Sequence, residues 1–283
     1  MAFLFGVFGT ALLCFAAVGD ALAEDSVIDR YEARVAASLA DQPHWATALV
    51  TTSPRLEQGF RTDFVRQRGA GGQDTWNYGN SRGLQVIPLR RVELRFSLPP
   101  FLAHTSPGVE DGFGDVSFLL KYRVYARAEE HGNAIVTAML GASVPTGKSG
   151  NGSCCAILSP TLGVGKGMGR WVLTSTAGGS LPVSNAEKIG RQIVWNNAIQ
   201  LHATRLLWVE TEFNTTFFQG GKYDGKAQTF ATPGIVVSRI PITRDGAGKP
   251  GSLLLTLGAG EQIALTHFNT YNHSPVFSAR LRF

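Results

Sequence analysis

The chain has 283 residues, with 26 Lys and Arg against 21 Asp and Glu and a formal net charge of +5. The basic residues are spread singly and form no Lys/Arg-rich run, which argues against a nucleic-acid partner. Glycine is abundant at 33 residues, which is typical of many strands joined by turns and argues against a disordered chain.

The first 23 residues have the pattern of a secretory signal peptide. The run from Ala2 to Val18 is apolar, and Ala21-Leu22-Ala23 forms a small-x-small cleavage site. An uncleaved anchor and a lipoprotein attached through Cys14 are the alternatives, and Asp20 argues against the anchor. Beyond this segment no apolar run approaches about 18 residues, so we expect an exported chain without a membrane helix.

Residues 26–40 predict a short amphipathic helix. Ser26 and Asp29 have the spacing of a capping box, and apolar residues recur every four positions at Val27, Tyr31, Val35 and Leu39. We expect residues 24–55 to form either a segment on the periplasmic side or a plug, followed by a barrel over residues 56–283.

From about residue 56 the hydrophobic period changes to two, which predicts strands with one apolar and one polar face. We predict about twelve strands, at 56–66, 78–88, 91–103, 114–128, 133–145, 156–167, 170–182, 190–203, 206–218, 227–239, 251–262 and 273–283. Short turns alternate with longer loops along this series. Residues 240–250 are too long for the short turn expected there, so either the preceding strand extends through Ile242 or the register changes.

The predicted fold class is all-β: a single antiparallel transmembrane β-barrel of about 12 strands with a short N-terminal helical segment. Lipid offers no partner to a backbone amide, so alternating strands in a membrane must close on themselves. The final residues 276–283 place Arg280 and Arg282 opposite an apolar face, and the chain ends on Phe283. We predict that Phe283 is the C-terminal insertion signal. A soluble secreted β-sandwich is the alternative.

Three glycine-rich stretches resemble a known family. They are DGFGDVSFLLKYRV (111–124), GASVPTGKSG (141–150) and SPTLGVGKGMGRWVLTSTAGG (159–179), and they are similar to the outer-membrane transporters called the "MetA-pathway of phenol degradation" family. The matching residues are Gly112, Gly114, Asp115, Lys121, Tyr122, Arg123, Pro145, Thr146, Gly147, Arg170 and Trp171. The resemblance covers residues 55–283. It implies an outer-membrane barrel that passes small, often aromatic or hydrophobic compounds, and it implies no catalytic residues.

The strand faces opposite the apolar ones carry charges that predict a lumen. The pore candidates are Arg91, Glu93, Arg95, Lys121, Arg123, Arg127, Trp208, Glu210, Glu212 and Arg280. Their positive excess predicts that an open path would prefer anions. About twelve strands enclose a lumen that such long side chains can largely fill, so an open pore and a plugged channel both remain possible at this point.

Several short motifs resemble functional sites but lack residues that those sites require. SVPTGKS at 143–149 falls short of a phosphate-binding loop, because Ala142 stands where the first glycine is required. The chain has no G-x-S-x-G, and most of its histidines fall in predicted loops. Cys154 and Cys155 are adjacent and have no partners nearby at metal-ligand spacing. We therefore expect no catalytic residues, no cofactor and no metal.

The sequence as a whole predicts an outer-membrane channel for passive passage of small compounds, including aromatic or hydrophobic ones. The alternatives are a structural or adhesive barrel without transport and, less favoured, a barrel hydrolase. The expected partners are outer-membrane lipid, the barrel-assembly machinery and a small-molecule solute, with no nucleic acid. The expected location is the outer membrane of a Gram-negative cell, after cleavage near Ala23.

Overall fold

The computed structural model describes residues 26–148, 150–243 and 251–283. The predicted signal peptide therefore lies outside the described residues. By internal contacts the chain divides into Met1–Ala33 and Arg34–Phe283. The described part of the first unit is helical, and the second unit contains the barrel. No described helix combines the length and the apolar character needed to cross a membrane.

Two α-helices and fifteen strand segments make up the described chain. The helices are α1 (Val27–Ala40) and the short α2 (Ala186–Ile189). The strands are β1 (Gly59–Arg68), β2 (Asp74–Gly79), β3 (Gly83–Leu89), β4 (Val92–Ser97), β5 (Phe101–His104), β6 (Gly112–Phe113), β7 (Val116–Arg127), β8 (Ala134–Val144), β9 (Ile157–Met168), β10 (Trp171–Pro182), β11 (Arg191–His202), β12 (Leu207–Gln219), β13 (Ala227–Pro241), β14 (Leu254–Ala264) and β15 (His273–Arg282).

The strands form one closed antiparallel barrel. Consecutive strands pair along the chain, and β1 pairs with β15 from Gly59 opposite Arg282 to Arg68 opposite His273. The segments β2 and β3, β4 and β5, and β6 and β7 each continue one another across a short break, so fifteen segments make twelve barrel strands. The predicted twelve-stranded barrel with a short N-terminal helix is confirmed.

The breaks have local causes. Asn80 and Ser81 take left-handed φ angles of 46° and 51° between β2 and β3, and Pro99 and Pro100, which lack an amide hydrogen, separate β4 from β5. The predicted strand 78–88 therefore starts too late, because β2 begins at Asp74 on the far side of its break.

The strand that leads into the segment 240–250 is irregular. β13 continues through Pro241, and its pairing with β14 shifts register between Val237 and Ile240, where Arg239 has a φ of 61°. The strand therefore extends to Pro241, one residue short of Ile242, and its register also changes. Residues 244–250 lie outside the described residues.

The helix α1 begins with the predicted capping box. The Ser26 amide donates to the Asp29 carboxylate at 2.9 Å, and the Asp29 amide donates to the Ser26 hydroxyl at 3.1 Å. These two hydrogen bonds satisfy amides that a helix N-terminus otherwise leaves without partners.

The barrel has two distinct ends. The turn end carries the short β3–β4, β7–β8, β9–β10 and β11–β12 connections, and the loop end carries the longer segments 105–111, 145–156, 183–190, 220–226 and 265–272. Between the ends, the outward residues are apolar and exposed, among them Leu120, Leu162, Ile235, Leu257 and Phe277. A wall that is apolar outside and polar inside is the arrangement of a lipid-facing barrel.

Replacing Ile235 with Arg tests this orientation. Ile235 is 49% exposed near the middle of β13. An arginine at the middle of a bilayer costs about 2–4 kcal/mol, and urea titration of folding into phospholipid vesicles should show that loss. Val183→Arg is the matched control, because Val183 is 64% exposed in a loop-end segment. Equal losses for the two variants would contradict a lipid-facing wall.

Candidate functional site

Residues 41–58, here called the plug, lie inside the barrel without regular secondary structure. Leu49 and Leu56 are 0% exposed and Thr51 is 1% exposed. The Gln42 side-chain amide donates to the Leu56 carbonyl at 2.7 Å, and its oxygen accepts from the Leu56 amide at 2.9 Å. This reciprocal pair closes residues 42–56 into a loop that starts and ends at one level of the lumen.

Two carboxylates on β12 bind the tip of the plug. Glu210 accepts from the Leu49 amide at 2.9 Å, and Glu212 accepts from the Val50 and Thr51 amides at 2.7 and 2.6 Å. Both carboxylates are buried, at 2% and 0% exposure. These three hydrogen bonds hold a stretch of backbone that has no strand or helix partner.

A second group on β4 and β7 binds the returning half of the plug. Glu93 accepts from the Glu57 amide at 2.6 Å and pairs with the Lys121 ammonium at 3.1 Å. Lys121 also donates to the Arg55 carbonyl at 2.9 Å. This ion pair is almost completely buried, at 0% and 1% side-chain exposure, and each of its charges has a further partner on the plug backbone, as a buried pair requires.

Arginines on β1 and β15, and one beside β3, bind carbonyls of the plug. Arg280 donates to the Thr47 and Ala48 carbonyls, the latter at 2.6 Å. Arg61 donates to the Leu49 carbonyl, and Arg82 donates to the Val50 carbonyl at 3.2 Å. Asp63 holds both Arg61 and Arg82 at 2.8 Å, which fixes these two guanidinium groups in place.

The plug is also tied to the turn end. The Trp45 indole donates to Asn133 at 2.8 Å, and the His44 ring contacts Glu129 at 3.0 Å. Burial acts to raise the pKa of Glu129, but hydrogen bonds from the His44 amide and ring outweigh it and lower that pKa below its usual value. Arg123 donates to the Ser38 carbonyl at 2.6 Å.

Glycines on the inner wall make space for the largest plug side chains. A Cβ added at Gly234, Gly258 or Gly260 would lie 2.5, 2.5 or 2.8 Å from a methyl carbon of Leu49. At Gly165 it would lie 2.6 Å from the Trp45 ring. Real Cβ atoms do not approach neighbours this closely, so the wall is shaped to the plug as a packed core is.

The plug separates two cavities in the lumen. Toward the loop end, a cavity of about 250 Å³ is lined by Thr52 of the plug and by wall residues that include Arg95, Ser117, Ser143, Thr161 and Asn196. Toward the turn end, a cavity of about 70 Å³ lies between the plug residues Arg55 and Glu57 and the wall residues Arg239, Arg280 and Arg282. The plug thus occupies the lumen between the two cavities.

Most predicted lumen residues lie on the inner wall. Glu93, Lys121, Arg123, Glu210, Glu212 and Arg280 contact the plug or the segment before it. Arg95 lines the larger cavity. Trp208 is 7% exposed, stacks on His202 at 4.2 Å and packs in one cluster with Trp45 and Leu49, so it fills space beside the plug.

Arg91 and Arg127 do not face the lumen, so the prediction that they line a pore is wrong. Arg91 is exposed in the turn between β3 and β4. Arg127 is exposed because the pairing of β7 with β8 shifts register between Arg123 and Tyr125, which reverses the side-chain alternation. Beyond the shift Arg127 lies over the Tyr125 ring at 5.9 Å.

Sequence reasoning missed several wall residues that contact the plug. Arg61 and Asp63 alternate on β1 with apolar residues, and Arg82 lies just before β3. The signal that could have revealed a plug is the set of inward glycines at Gly163, Gly165, Gly234, Gly258 and Gly260. Glycine repeated on one strand face marks a place where another part of the chain approaches closely.

The G-x-G-D and P-T-G stretches of the resemblance have a structural role. Asp115 accepts from the amides of Thr146, Gly147 and Ser153 at 3.1, 2.9 and 2.7 Å. A Cβ at Gly152 would lie 2.4 Å from that carboxylate. These residues therefore shape a loop-end segment, away from the plug. Within the described ranges, no cluster of His, Cys, Asp and Glu has the arrangement of a metal site.

Comparison with known proteins gives the class of fold. No protein-family model matches the chain, and no curated protein matches it. The chain is similar to the COG4313 outer membrane channel from Pseudomonas putida F1, with a TM-score of 0.50, 14% identity, and coverage of 81% of this chain and 97% of that one. It is also similar to the NanC porin, with a TM-score of 0.49, 7% identity, and coverage of 79% and 98%. The similarity to the COG4313 structure shows a shared β-barrel fold.

The glycine socket gives a sharp test of the plug position. Gly258→Ala should destabilise the protein by about 1–3 kcal/mol through overpacking against Leu49, and Leu49→Ala should cost about 2–5 kcal/mol through the cavity it leaves. The double variant should lose clearly less than the sum, because the shorter side chain makes room for the new methyl group. Urea unfolding in detergent micelles measures all three values. If the losses in unfolding free energy of the two single variants simply added in the double variant, Leu49 would not pack against Gly258.

Proposed function

We propose that this protein is an outer-membrane channel that passes small solutes passively and is held closed by its own plug. The observation that carries the proposal is the arrangement of residues 41–58 between two lumen cavities. Among the described residues, most contacts that retain the plug come from side chains of the wall. An irregular segment held by side chains can be released without breaking any strand pairing, so the barrel can stay intact when the lumen opens.

The chemistry of the lumen supports a polar, negatively charged solute. Arg95, Arg239, Arg280 and Arg282 have no carboxylate within 4 Å in the part of the chain that the structure describes. A passage lined by an excess of guanidinium groups attracts anions and repels cations. Trp208, the aromatic candidate for a solute path, packs beside the plug, so it offers less support for aromatic or hydrophobic solutes.

The more specific proposals are the family and the location. Membership of the "MetA-pathway of phenol degradation" family, with aromatic or hydrophobic solutes, is supported by the motifs at 111–124, 141–150 and 159–179. Location in the outer membrane, after removal of a signal peptide near Ala23, is supported by the apolar outer face of the barrel. Insertion signalled by Phe283 is supported by the exposed position of that ring at the end of the closing strand.

Loosening the plug should open the channel. Glu212 accepts two plug amides, so Glu212→Gln should lose both charge-assisted hydrogen bonds while keeping the size of the side chain. In planar bilayers we expect the native protein to be mostly closed and the variant to raise the open probability about tenfold or more, since a hydrogen bond to a charged group contributes a net of roughly 1.5–3 kcal/mol.

The matched control is Glu261→Gln, because Glu261 is an exposed wall residue that pairs with His273 on the neighbouring strand. It should leave the open probability unchanged. A protein without residues 41–58 should conduct continuously if the barrel still folds. If this deletion folds, as judged by a heat-modifiable gel band, and still does not conduct, the channel function fails and a structural or adhesive barrel is the better interpretation.

Ion selectivity tests the charge argument separately. In the Glu212→Gln background, Arg95→Glu should reduce the preference for anions, because Arg95 lines the larger cavity without an ion pair among the described residues. Arg170→Glu is the control, since Arg170 binds carbonyls at 202–203 in a turn-end connection. Reversal potentials in a salt gradient give the measurement. An equal effect of both changes would show that net charge, and not the cavity, sets selectivity.

A further inference from the structure

The smaller cavity, at the turn end, has an unusual charge balance. Four arginines line it, Arg55 from the plug and Arg239, Arg280 and Arg282 from the wall, and Glu57 is the one carboxylate among its lining residues. Glu57 already accepts hydrogen bonds from Thr47 and from Gln85, the latter at 3.1 Å. The cavity therefore has several positive charges and a single, already occupied, negative one.

The arginines also have unused hydrogen-bonding capacity. In the described chain, none of the four forms an ion pair within 4 Å, and the buried Nε groups of Arg55 and Arg280 have no acceptor. The Arg282 guanidinium makes no hydrogen bond with the described residues, and the Arg239 guanidinium donates to the His44 carbonyl. Partly buried guanidinium groups so close together repel each other and need a counter-charge.

We propose that this cavity binds a small inorganic oxyanion of the phosphate or sulfate type, which bridges the plug and the wall. Guanidinium groups match the paired oxygens of an oxyanion in a bidentate geometry, which chloride cannot offer. The cavity holds about 70 Å³, and a liquid water takes roughly 30 Å³, so its size suits an anion of a few atoms. The hydroxyl of Thr256 on β14 also lines the cavity and can donate to such an ion.

The site links binding to the state of the plug. Arg55 belongs to the plug, while Arg239, Arg280 and Arg282 belong to β13 and β15. A bound oxyanion therefore contacts all of its partners only when the plug is in place, so it stabilises the closed barrel by its differential affinity for that state. This second step rests on the proposed channel function, whereas the binding site itself does not.

Equilibrium dialysis of radiolabelled inorganic phosphate against the purified full chain in detergent tests the site directly. We expect one phosphate per chain at constant ionic strength, and at least a tenfold weaker affinity in Arg282→Gln. Arg282 is the best position for this change because it holds none of the plug backbone among the described residues. Arg95→Gln is the matched control, since it removes an equally unpaired lumen arginine from the other cavity, and it should bind phosphate as the native protein does.

Thermal unfolding followed by gel mobility gives an independent readout. Phosphate at several times its dissociation constant should raise the midpoint by about 2–4 °C relative to chloride of equal ionic strength, and Arg282→Gln should abolish the rise. Absent binding, equal binding in both variants, or the same rise with chloride would overturn the oxyanion site.

In planar bilayers phosphate on the turn-end side should lower the open probability of Glu212→Gln. If phosphate binds but the open probability is unchanged, the link to gating is wrong. If no variant conducts, the channel proposal fails and dialysis still decides the site.

Discussion

The structure depends on satisfying the backbone of an irregular segment in the interior of a barrel. Residues 41–58 form no helix or strand, so their buried amides and carbonyls cannot pair with one another as they do in regular structure. The barrel wall supplies the partners as side chains. Carboxylates of Glu93, Glu210 and Glu212 accept from plug amides, while Arg61, Arg280 and Lys121 donate to plug carbonyls.

This requirement explains the high charge of the lumen, which the sequence alone leaves open to both an open pore and a plugged channel. A charged side chain inside a barrel can steer a solute or hold the backbone of a plug, and in this protein most of the predicted pore charges hold backbone. The arginines without ion pairs among the described residues lie at the cavities on either side of the plug. Arg95 and Arg282 hold no plug backbone among the described residues, whereas Arg239 and Arg280 line a cavity and also donate to plug carbonyls.

Sequence reasoning predicts the barrel well because apolar and polar residues alternate along its strands with a period of two. The alternation in 116–127 predicts which side chains face inward as far as Arg123, and it fails at Arg127 because a register shift intervenes. The shift has no local sequence signature that would reveal it. The course of the plug has no periodic pattern either. Its partners are scattered over eight strands, and the amides they bind are present in every residue. The helix before it was predictable because Ser26 and Asp29 form a local pair.

Glycine sockets and charged contacts have different roles in closure. When the plug leaves, water entering the lumen can replace hydrogen bonds to Glu212 or Arg280, so each contributes a net of only about 0.5–1.5 kcal/mol, or up to about 3 with an ionised partner. Water gives no such compensation for the apolar surface of Leu49, whose burial is worth roughly 1.5–3 kcal/mol. Leu49 also packs so closely against Gly234, Gly258 and Gly260 that a Cβ at any of the three would clash with it. In the proposed channel, water takes over the charged contacts when the plug leaves, whereas the apolar contact of Leu49 with the glycines is lost.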